Sequence, residues 1–343
     1  LLGTLAAILS LKTYVSDSEF WAITASKQLG EAGVSASIYI KFLFYGLLKP
    51  IYLLPLDTLS HVLVARLEFA ALGALTAYVF YRVARLALDD DFWGLALTLV
   101  LVTSTYFLSQ SFRVRSDNLT SLFALLIFWI LLRWSKGLTR GWIGPSFAIF
   151  ALNLLLLVTT PKSFYFLVIV GIFACLLPMR GLDVRRKVLA LGVAFLAPPF
   201  AIVSTIQIVS FVPALRWVER ATIVSFEYFT DSFQGLSGAN TYLTSEDFVY
   251  VLSFLAQNPL HDLFFVASAL LWIRAIRTPG FEERRAYFML FVVSFCLLLL
   301  HNQKLPFFIY AMLPMLTLGS GLAWRPRLGS VTPTLRGAAI VLV

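Results

Sequence analysis

Ten polar or charged residues lie in four short connections, each at the end of a long apolar segment, where they could bind or transfer charged groups. An ionisable group next to hydrocarbon is costly, and such residues commonly serve a function. Because apolar segments alternate with these connections, all four are expected on one side of a membrane, which predicts a single site at that surface. The residues are Asp17, Glu19, Arg113, Arg115, Asp117, Asn118, Lys162, His301, Gln303 and Lys304.

Two carboxylates, Asp17 and Glu19, lie in the segment Ser-Asp-Ser-Glu-Phe-Trp at 16–21. A carboxylate at a membrane surface can act as a general base on an acceptor hydroxyl. Two residues apart on a helix the side chains would diverge, so we expect one to be catalytic and the other to have a positioning role. A second interpretation is a helix N-terminus, with Ser16 or Asp17 capping a helix that begins near Glu19. The two interpretations are compatible, because a cap can also orient a base.

The segment Phe-Arg-Val-Arg-Ser-Asp-Asn at 112–118 combines two arginines with an acid and an amide. Arg113 and Arg115 could bind a lipid phosphate through charge-assisted hydrogen bonds. Asp117 could position them or bind a sugar hydroxyl. The alternative is a helix start in which Asp117 is the N-cap and the arginines extend to lipid headgroups.

The two remaining connections carry further cations. Lys162 ends an apolar run, where a lysine serves as an interfacial anchor or binds phosphate. His301, Gln303 and Lys304 lie between two runs, so Lys304 could neutralise a phosphate while His301 donates to it or binds a sugar. The alternative is an interfacial loop anchored by Lys304.

The motifs of several other enzyme classes are missing from the sequence. It contains no glycine-rich phosphate loop, no Cys/His metal spacing and no nucleophile elbow. The run Asp89-Asp90-Asp91 is similar to a metal site but is expected on the opposite, cytoplasmic face, where a solvated loop is the better interpretation. Cys175 and Cys296 lie in apolar runs and are interpreted as packing residues. These features predict no bound metal and exclude a nucleotide-sugar enzyme with a soluble Rossmann-type domain.

The composition is that of a membrane protein. Of 343 residues 59% are hydrophobic and 13% are charged, and the mean hydropathy is +0.86. Soluble domains are nearer 45–50% apolar and about 25% charged. The net charge of +9 does not indicate nucleic-acid binding, because the basic residues are dispersed among loops rather than gathered on one stripe.

Apolar runs long enough to span a bilayer predict an all-α polytopic protein. With two incomplete runs at the ends, 1–11 and 338–343, they give about eleven membrane spans, so we expect the chain to be truncated at both termini. Sixteen of the 27 basic residues fall in alternate loops, which the positive-inside rule places in the cytoplasm. Arg66 and Glu68 lie near a span end with no partner close in sequence. The complete runs are 59–81, 93–112, 119–132, 142–160, 163–178, 188–212, 259–273, 286–300 and 305–323.

Residues 1–343 are interpreted as one transmembrane domain with two longer segments on its outer face. Residues 18–56 mix aromatic, apolar and charged positions in a pattern typical of helices lying in the membrane interface. Residues 213–258 form the only sizeable predicted soluble loop, and a loop of this length commonly binds substrate.

These motifs resemble those of the GT-C superfamily of integral-membrane glycosyltransferases, which use polyprenyl-phosphate sugars as donors. The segment Asp-x-Glu-Phe-Trp at 17–21 is similar to the acidic motif of their first outer loop, where an Asp serves as catalytic base. Here Ser18 separates the two acids, and Asp17 is the favoured match. Residues 113–118 lie where members carry a second polar motif. Residues 301–314 are similar to the His-Lys-x-x-Arg-Phe…Pro motif of dolichyl-phosphate-mannose mannosyltransferases, although Leu305-Pro306 stands near the expected arginine and Lys304 substitutes for it.

The resemblance implies an inverting transfer to a lipid, glycan or protein acceptor, with Asp17 or Glu19 as base. It implies no cofactor and no metal, because phosphate is already a good leaving group. A bacterial inner membrane is favoured over the ER membrane. The alternatives are a transporter or flippase of lipid-linked sugars, and a non-catalytic membrane scaffold. The residues to which the resemblance assigns donor binding are Arg113, Arg115, Asp117, Lys162, His301, Gln303 and Lys304.

Overall fold

A computed structural model of the chain describes residues 17–29, 41–139, 141–160, 163–179, 181–210, 259–278, 281–300 and 306–328. The described residues form α-helices and their connections, with no β-strand among them. The predicted end runs 1–11 and 338–343 and the loop 213–258 lie outside these residues. The helices are α1 Asp17–Gln28, α2 Phe42–Tyr52, α3 Thr58–Leu88, α4 Asp91–Val102, α5 Thr105–Gln110, α6 Ser116–Ser135, α7 Ile143–Leu157, α8 Ser163–Leu176, α9 Val184–Leu191, α10 Ala197–Ser210, α11 Pro259–Ala275, α12 Phe281–Leu300 and α13 Pro306–Leu328, with a π-helical turn Gly192–Leu196 joining α9 to α10.

Three described stretches are long and apolar enough to cross a membrane, namely Thr58–Leu88, Ser116–Ser135 and Val184–Ser204. Shorter apolar helices, Asp91–Val102, Ile143–Leu157 and Ser163–Leu176, accompany them. The all-helical class is confirmed for the described residues, and these helices are compatible with an integral membrane protein. The number of about eleven spans stays a prediction.

Local sequence sets the ends of several helices. Asp57 caps α3 by accepting a hydrogen bond from the Ser60 backbone N–H at 2.9 Å, and Asp183 caps α9 in the same way at 2.7 Å from Arg186. Such caps satisfy N–H groups that have no partner within the helix. At the other end of α3, Asp89 adopts a left-handed backbone conformation with φ of 58°, which stops the helix.

The predicted continuous run 93–112 is wrong in one respect, because the structure divides it into α4 and α5. The Thr103 hydroxyl donates a hydrogen bond to the Leu99 carbonyl of α4 at 2.7 Å. The next residue, Ser104, has an extended backbone conformation, and α5 begins after it. Ser and Thr side chains compete with helical hydrogen bonding in this way. Hydropathy alone does not predict this break.

The described helices pack mainly around two apolar cores. The larger core contains buried residues of the helices from the second half of α3 to α13, including Phe128, Phe173 and Leu316. The smaller core joins α1 and α2 to the first half of α3 and to Val114 and Leu119. The described part of the predicted interfacial segment 18–56 therefore contains two helices, which pack onto one end of α3.

Candidate polar site at the N-terminal end of α3

The centre of the site is a fully buried ion pair between Glu19 on α1 and Arg66 on α3. Arg66 donates from Nε to Oε1 at 2.9 Å and from Nη2 to Oε2 at 2.7 Å, so the pairing is bidentate. Bidentate Arg–carboxylate bonds fix geometry as well as adding energy. The pair therefore holds α1 in a defined position against α3.

The same carboxylate also holds the segment that precedes α6. The Val114 backbone N–H donates to Glu19 Oε1 at 3.3 Å, and Arg113 Nη1 lies 4.0 Å from Oε2. The Arg66 guanidinium lies over the Phe112 ring, 5.7 Å from its centroid. Because three groups already share the Glu19 carboxylate, the geometry favours a positioning role for this residue.

The sequence shows no partner for Arg66 close in the chain, and the structure supplies a distant one. Its partner, Glu19, lies 47 residues earlier in the chain and reaches it through the packing of α1 on α3. A sequence signal did exist, because Arg66 lies on the same helical face as the buried Val62 and Phe69. A cation on a buried face needs a buried acid, and such a pair is costly to break.

A second group of charges, Lys41, Arg115 and Asp117, adjoins the pair. Burial lowers the pKa of Lys41 below its ordinary value of 10.5, the nearby Asp117 carboxylate acts to raise it, and Arg115 lowers it. Burial also lowers the pKa of Arg115, with Asp117 and Glu19 acting to raise it and Arg113 to lower it. These mutual effects show that the charges form one cluster with Glu19 and Arg113. Lys41 was not singled out by the sequence, because it lies in the segment interpreted as interfacial.

The cluster carries more positive than negative charge. Its four cations are Arg66, Arg113, Arg115 and Lys41, and its two described carboxylates are Glu19 and Asp117. A surplus of cations in a partly dehydrated environment attracts an anion, since fixed charges act more strongly where water is scarce. The arrangement is therefore suited to a phosphate group.

Asn118 fixes the backbone of this region and leaves one polar atom unused. Its Nδ2 donates to the Arg113 carbonyl at 2.8 Å and to the Gln110 carbonyl at 3.4 Å. Among the described residues, the buried atoms Asn118 Oδ1 and Arg113 Nε have no hydrogen-bond partner. Buried polar groups rarely remain unpaired, so these atoms are candidates for contacts with a ligand or water.

Helix α13 brings the buried Tyr310 to the same region. Its ring lies 5.3 Å from that of Phe107 on α5, and the Asp117 carboxylate acts on its hydroxyl electrostatically. The Tyr310 hydroxyl has no hydrogen-bond partner within the described part of the chain. Tyr310 therefore extends the cluster from α1, α3 and α6 to the helix that follows the 301–304 motif.

Asp262, near the start of α11, is a buried carboxylate that the sequence interpretation passed over. It acts electrostatically on Tyr106 of α5, and its Oδ2 lacks a hydrogen-bond partner among the residues that the structure describes. The neighbouring His261 contacts the Val100 carbonyl at 2.7 Å through Nε2. The polar region at this end of the bundle thus extends beyond the predicted residues.

Of the sequence-predicted residues, the structure brings together Glu19, Arg113, Arg115, Asp117 and Asn118. Asp17 is the first residue of α1, but its side chain lies outside what the structure describes. The described residues contain no group of three or more His, Cys, Asp or Glu that could hold a metal ion. The other predicted residues lie outside the described ranges and are Lys162, His301, Gln303 and Lys304.

The position of the cluster along α3 agrees with a membrane surface. From Arg66 to the end of the helix at Leu88 are 22 residues, a length of about 33 Å at 1.5 Å per residue. The hydrocarbon core of a bilayer is about 30 Å thick. If α3 crosses that core, Arg66 lies at one boundary and the other end of the helix at the opposite boundary.

No protein-family model and no curated protein matches the chain. The function proposed below therefore rests on the sequence motifs and on the geometry and charge of the cluster.

Proposed function

We propose that the chain is an integral-membrane glycosyltransferase of the GT-C type. It moves a sugar from a polyprenyl-phosphate donor to a lipid, glycan or protein acceptor on the outer or lumenal face, with inversion. The observation that carries the proposal is the cation-rich cluster built on the Glu19–Arg66 pair, with Asp17 two residues from Glu19 on the same helix.

The buried pair supports different roles for the two acids of the first motif. Glu19 is held by Arg66 and by the Val114 N–H, so its role is to position α1 against the arginine segment. Asp17, in the first turn of α1, is the proposed general base, which removes the proton from the acceptor hydroxyl. The hydroxyl oxygen then attacks the anomeric carbon of the donor sugar.

The leaving group is the polyprenyl phosphate, and the cluster supplies positive charge where negative charge develops. Arg113 and Arg115 are the proposed phosphate ligands, since guanidinium groups bind phosphate with two parallel hydrogen bonds. Lys41 adds a further cation beside Asp117. Fixed charges that stabilise a developing anion are usually a large catalytic effect. Lys162, His301, Gln303 and Lys304 remain proposed donor ligands.

The wider architecture belongs to the same proposal. About eleven membrane helices would surround the site, α1 and α2 would lie in the interface, and the prenyl chain would occupy a groove between apolar helices. The loop 213–258 would contribute to acceptor binding. No cofactor or metal is proposed, and a bacterial inner membrane is the proposed location.

The test is sugar transfer in proteoliposomes. Labelled polyprenyl-phosphate mannose, arabinose or glucose is offered with a crude lipid and glycan extract to wild type, Asp17→Asn, Arg113→Gln and Lys41→Gln. Loss of a general base lowers the rate by about 10²–10⁴-fold, which is the result expected for Asp17→Asn. Asp183→Asn is the matched control, because it neutralises an exposed acid outside the cluster and Asn is an equally good cap.

Other outcomes would overturn parts of the proposal. Normal transfer by Asp17→Asn combined with Glu19→Gln would exclude both acids as the base. Transport of the labelled donor across the bilayer without transfer to any acceptor would instead support a flippase.

A further inference from the structure

The opposite end of α3 and α6 carries a second polar site, which the proposed function does not use. A cavity of about 500 Å³ opens between the C-terminal ends of these helices and the start of α4. Arg82, Arg85, Arg133 and Trp129 line it together with the three aspartates at 89–91. Along α3, Arg82 is 16 residues from Arg66, or about 24 Å.

The three aspartates of the cavity already have partners. Asp89 pairs with Lys136, and Asp91 pairs with Arg85 and accepts a hydrogen bond from the Tyr81 hydroxyl at 3.4 Å. Asp90 caps α4 by accepting from the Trp93 backbone N–H at 3.1 Å. The acids therefore have defined structural roles, in keeping with their interpretation as a loop rather than a metal site.

Two arginines of the cavity are left without an acidic partner. Arg82 and Arg133 lie over the ring of Trp129, at 5.9 and 5.2 Å from its centroid. Within the part of the chain that the structure describes, neither has a carboxylate oxygen within 4.0 Å. Among the described residues, the hydrogen bond that Arg82 donates goes to a neutral group, the Tyr78 hydroxyl, at 2.8 Å.

Two cations that share one aromatic ring repel each other, and an anion placed between them would remove that repulsion. The guanidinium group matches phosphate oxygens with two parallel hydrogen bonds, and stacking on Trp129 restrains the arginines before a ligand arrives. Tryptophan near the end of an apolar helix is typical of the membrane–water interface, where phospholipid headgroups lie. The exposed Leu138 at the edge of the cavity adds an apolar surface beside the charges.

We propose that Arg82, Arg133 and Trp129 form a phosphate-binding site at the end of the bundle opposite the Glu19–Arg66 pair. Its ligand is a phosphate group, carried by the headgroup of an anionic membrane lipid or present as free phosphate. The site is separate from the proposed transfer site, so either can fail without the other.

The test measures ligand retention by the purified chain, with native mass spectrometry in detergent and thermal shift as a second readout. Phosphatidylglycerol, phosphatidylcholine and inorganic pyrophosphate are offered separately to wild type, to Arg82→Gln/Arg133→Gln and to Arg82→Lys/Arg133→Lys. Arg186→Gln is the matched control, because Arg186 is exposed and paired with Asp183 outside the cavity. We expect about tenfold weaker binding for each arginine lost, and partial retention in the lysine variant.

Comparing the three ligands distinguishes the possible sources of the phosphate. Preferential binding of phosphatidylglycerol by wild type, lost in the glutamine variant, assigns the site to a lipid. Binding of pyrophosphate that is lost in the same way assigns it to soluble phosphate. The proposal is overturned if the wild type prefers neither ligand over phosphatidylcholine. It is also overturned if the glutamine variant binds as tightly as the wild type and the Arg186→Gln control do. The wild-type comparison decides the matter even if the glutamine variant does not fold.

Discussion

At the scale of single residues, the Glu19–Arg66 pair is the interaction whose loss should destabilise the fold most. Removing one partner of a buried pair leaves an uncompensated charge and costs about 3–5 kcal/mol. We expect Arg66→Met and Glu19→Gln each to lower the free energy of unfolding by that order. The double variant Glu19→Leu/Arg66→Met should lose less than the two single changes together, because no lone charge remains.

Denaturation of the purified variants in micelles measures these changes. Arg85→Met is the control, since Arg85 pairs with Asp91 on the surface and exposed pairs contribute about 0–1 kcal/mol. Single variants that unfold like wild type would show that the pair does not stabilise the fold.

Lys41 offers a separate prediction about charge at the same site. Its pKa is lowered by burial, raised by Asp117 and lowered by Arg115. Acylation of Lys41 in the folded protein should therefore have a midpoint pH below 10.5, the ordinary pKa of a lysine. Asp117→Asn removes an effect that raises the pKa and should move the midpoint lower still, whereas Arg115→Gln should move it higher. Mass spectrometry of the protein labelled at graded pH reads the midpoint, and shifts of the opposite sign would contradict the cluster geometry.

The sequence could predict the polar residues of this site but not how they pair. Glu19, Arg113, Arg115 and Asp117 stand out because each adjoins a long apolar run. The partnership of Glu19 with Arg66 depends on α1 packing against α3, and no spacing in the chain encodes that contact. Tyr310 lies within the segment 301–314 that the resemblance covers. That its hydroxyl is buried without a hydrogen-bond partner among the described residues could not be predicted, because this depends on tertiary packing.

At the scale of helices, hydropathy predicts well where the described helices lie and roughly how long they are. It does not predict the breaks that local hydrogen bonding creates. The predicted run 119–132 corresponds to α6, and 188–212 corresponds to α9 and α10 joined by a π-helical turn. The break after Val102 escaped prediction because it depends on local conformation rather than on polarity. The Thr103 hydroxyl donates to the Leu99 carbonyl, and Ser104 has an extended backbone.

Close packing of α12 on α13 depends on Gly319. A Cβ at this position would lie 2.8 Å from the Phe291 backbone nitrogen, and the Gly319 carbonyl accepts a bond from Trp272 Nε1 at 3.0 Å. Gly319→Ala should force the helices apart and cost about 1–3 kcal/mol. Gly171→Ala on α8 is the control, because its nearest neighbour is 3.8 Å away and alanine favours a helix. Equal stability of the two variants in a thermal unfolding assay would contradict this packing.

At the scale of the whole molecule, the alternation of the helices across a membrane decides which compartment the Glu19–Arg66 cluster faces. Leu56, before α3, and Leu138, after α6, are exposed and separated by α3, by α4 with α5, and by α6. If each of these three segments crosses the membrane, as the predicted alternation requires, Leu56 and Leu138 lie on opposite faces. Val184, which is also exposed, follows two more crossings and should share the face of Leu138.

Single cysteines at these three positions test the alternation, in a background where the exposed Cys175 and Cys296 are replaced by alanine. A membrane-impermeant maleimide applied to sealed vesicles should label Leu56→Cys from one side, and Leu138→Cys and Val184→Cys from the other. The basic loops predict that the second side is the cytoplasm, and denatured samples labelled at all three positions provide the control. Labelling of Leu56→Cys and Leu138→Cys from the same side would mean that one or all of the three segments between them do not cross. The predicted alternation would then be wrong, and an outward-facing sugar transfer would lose its physical basis.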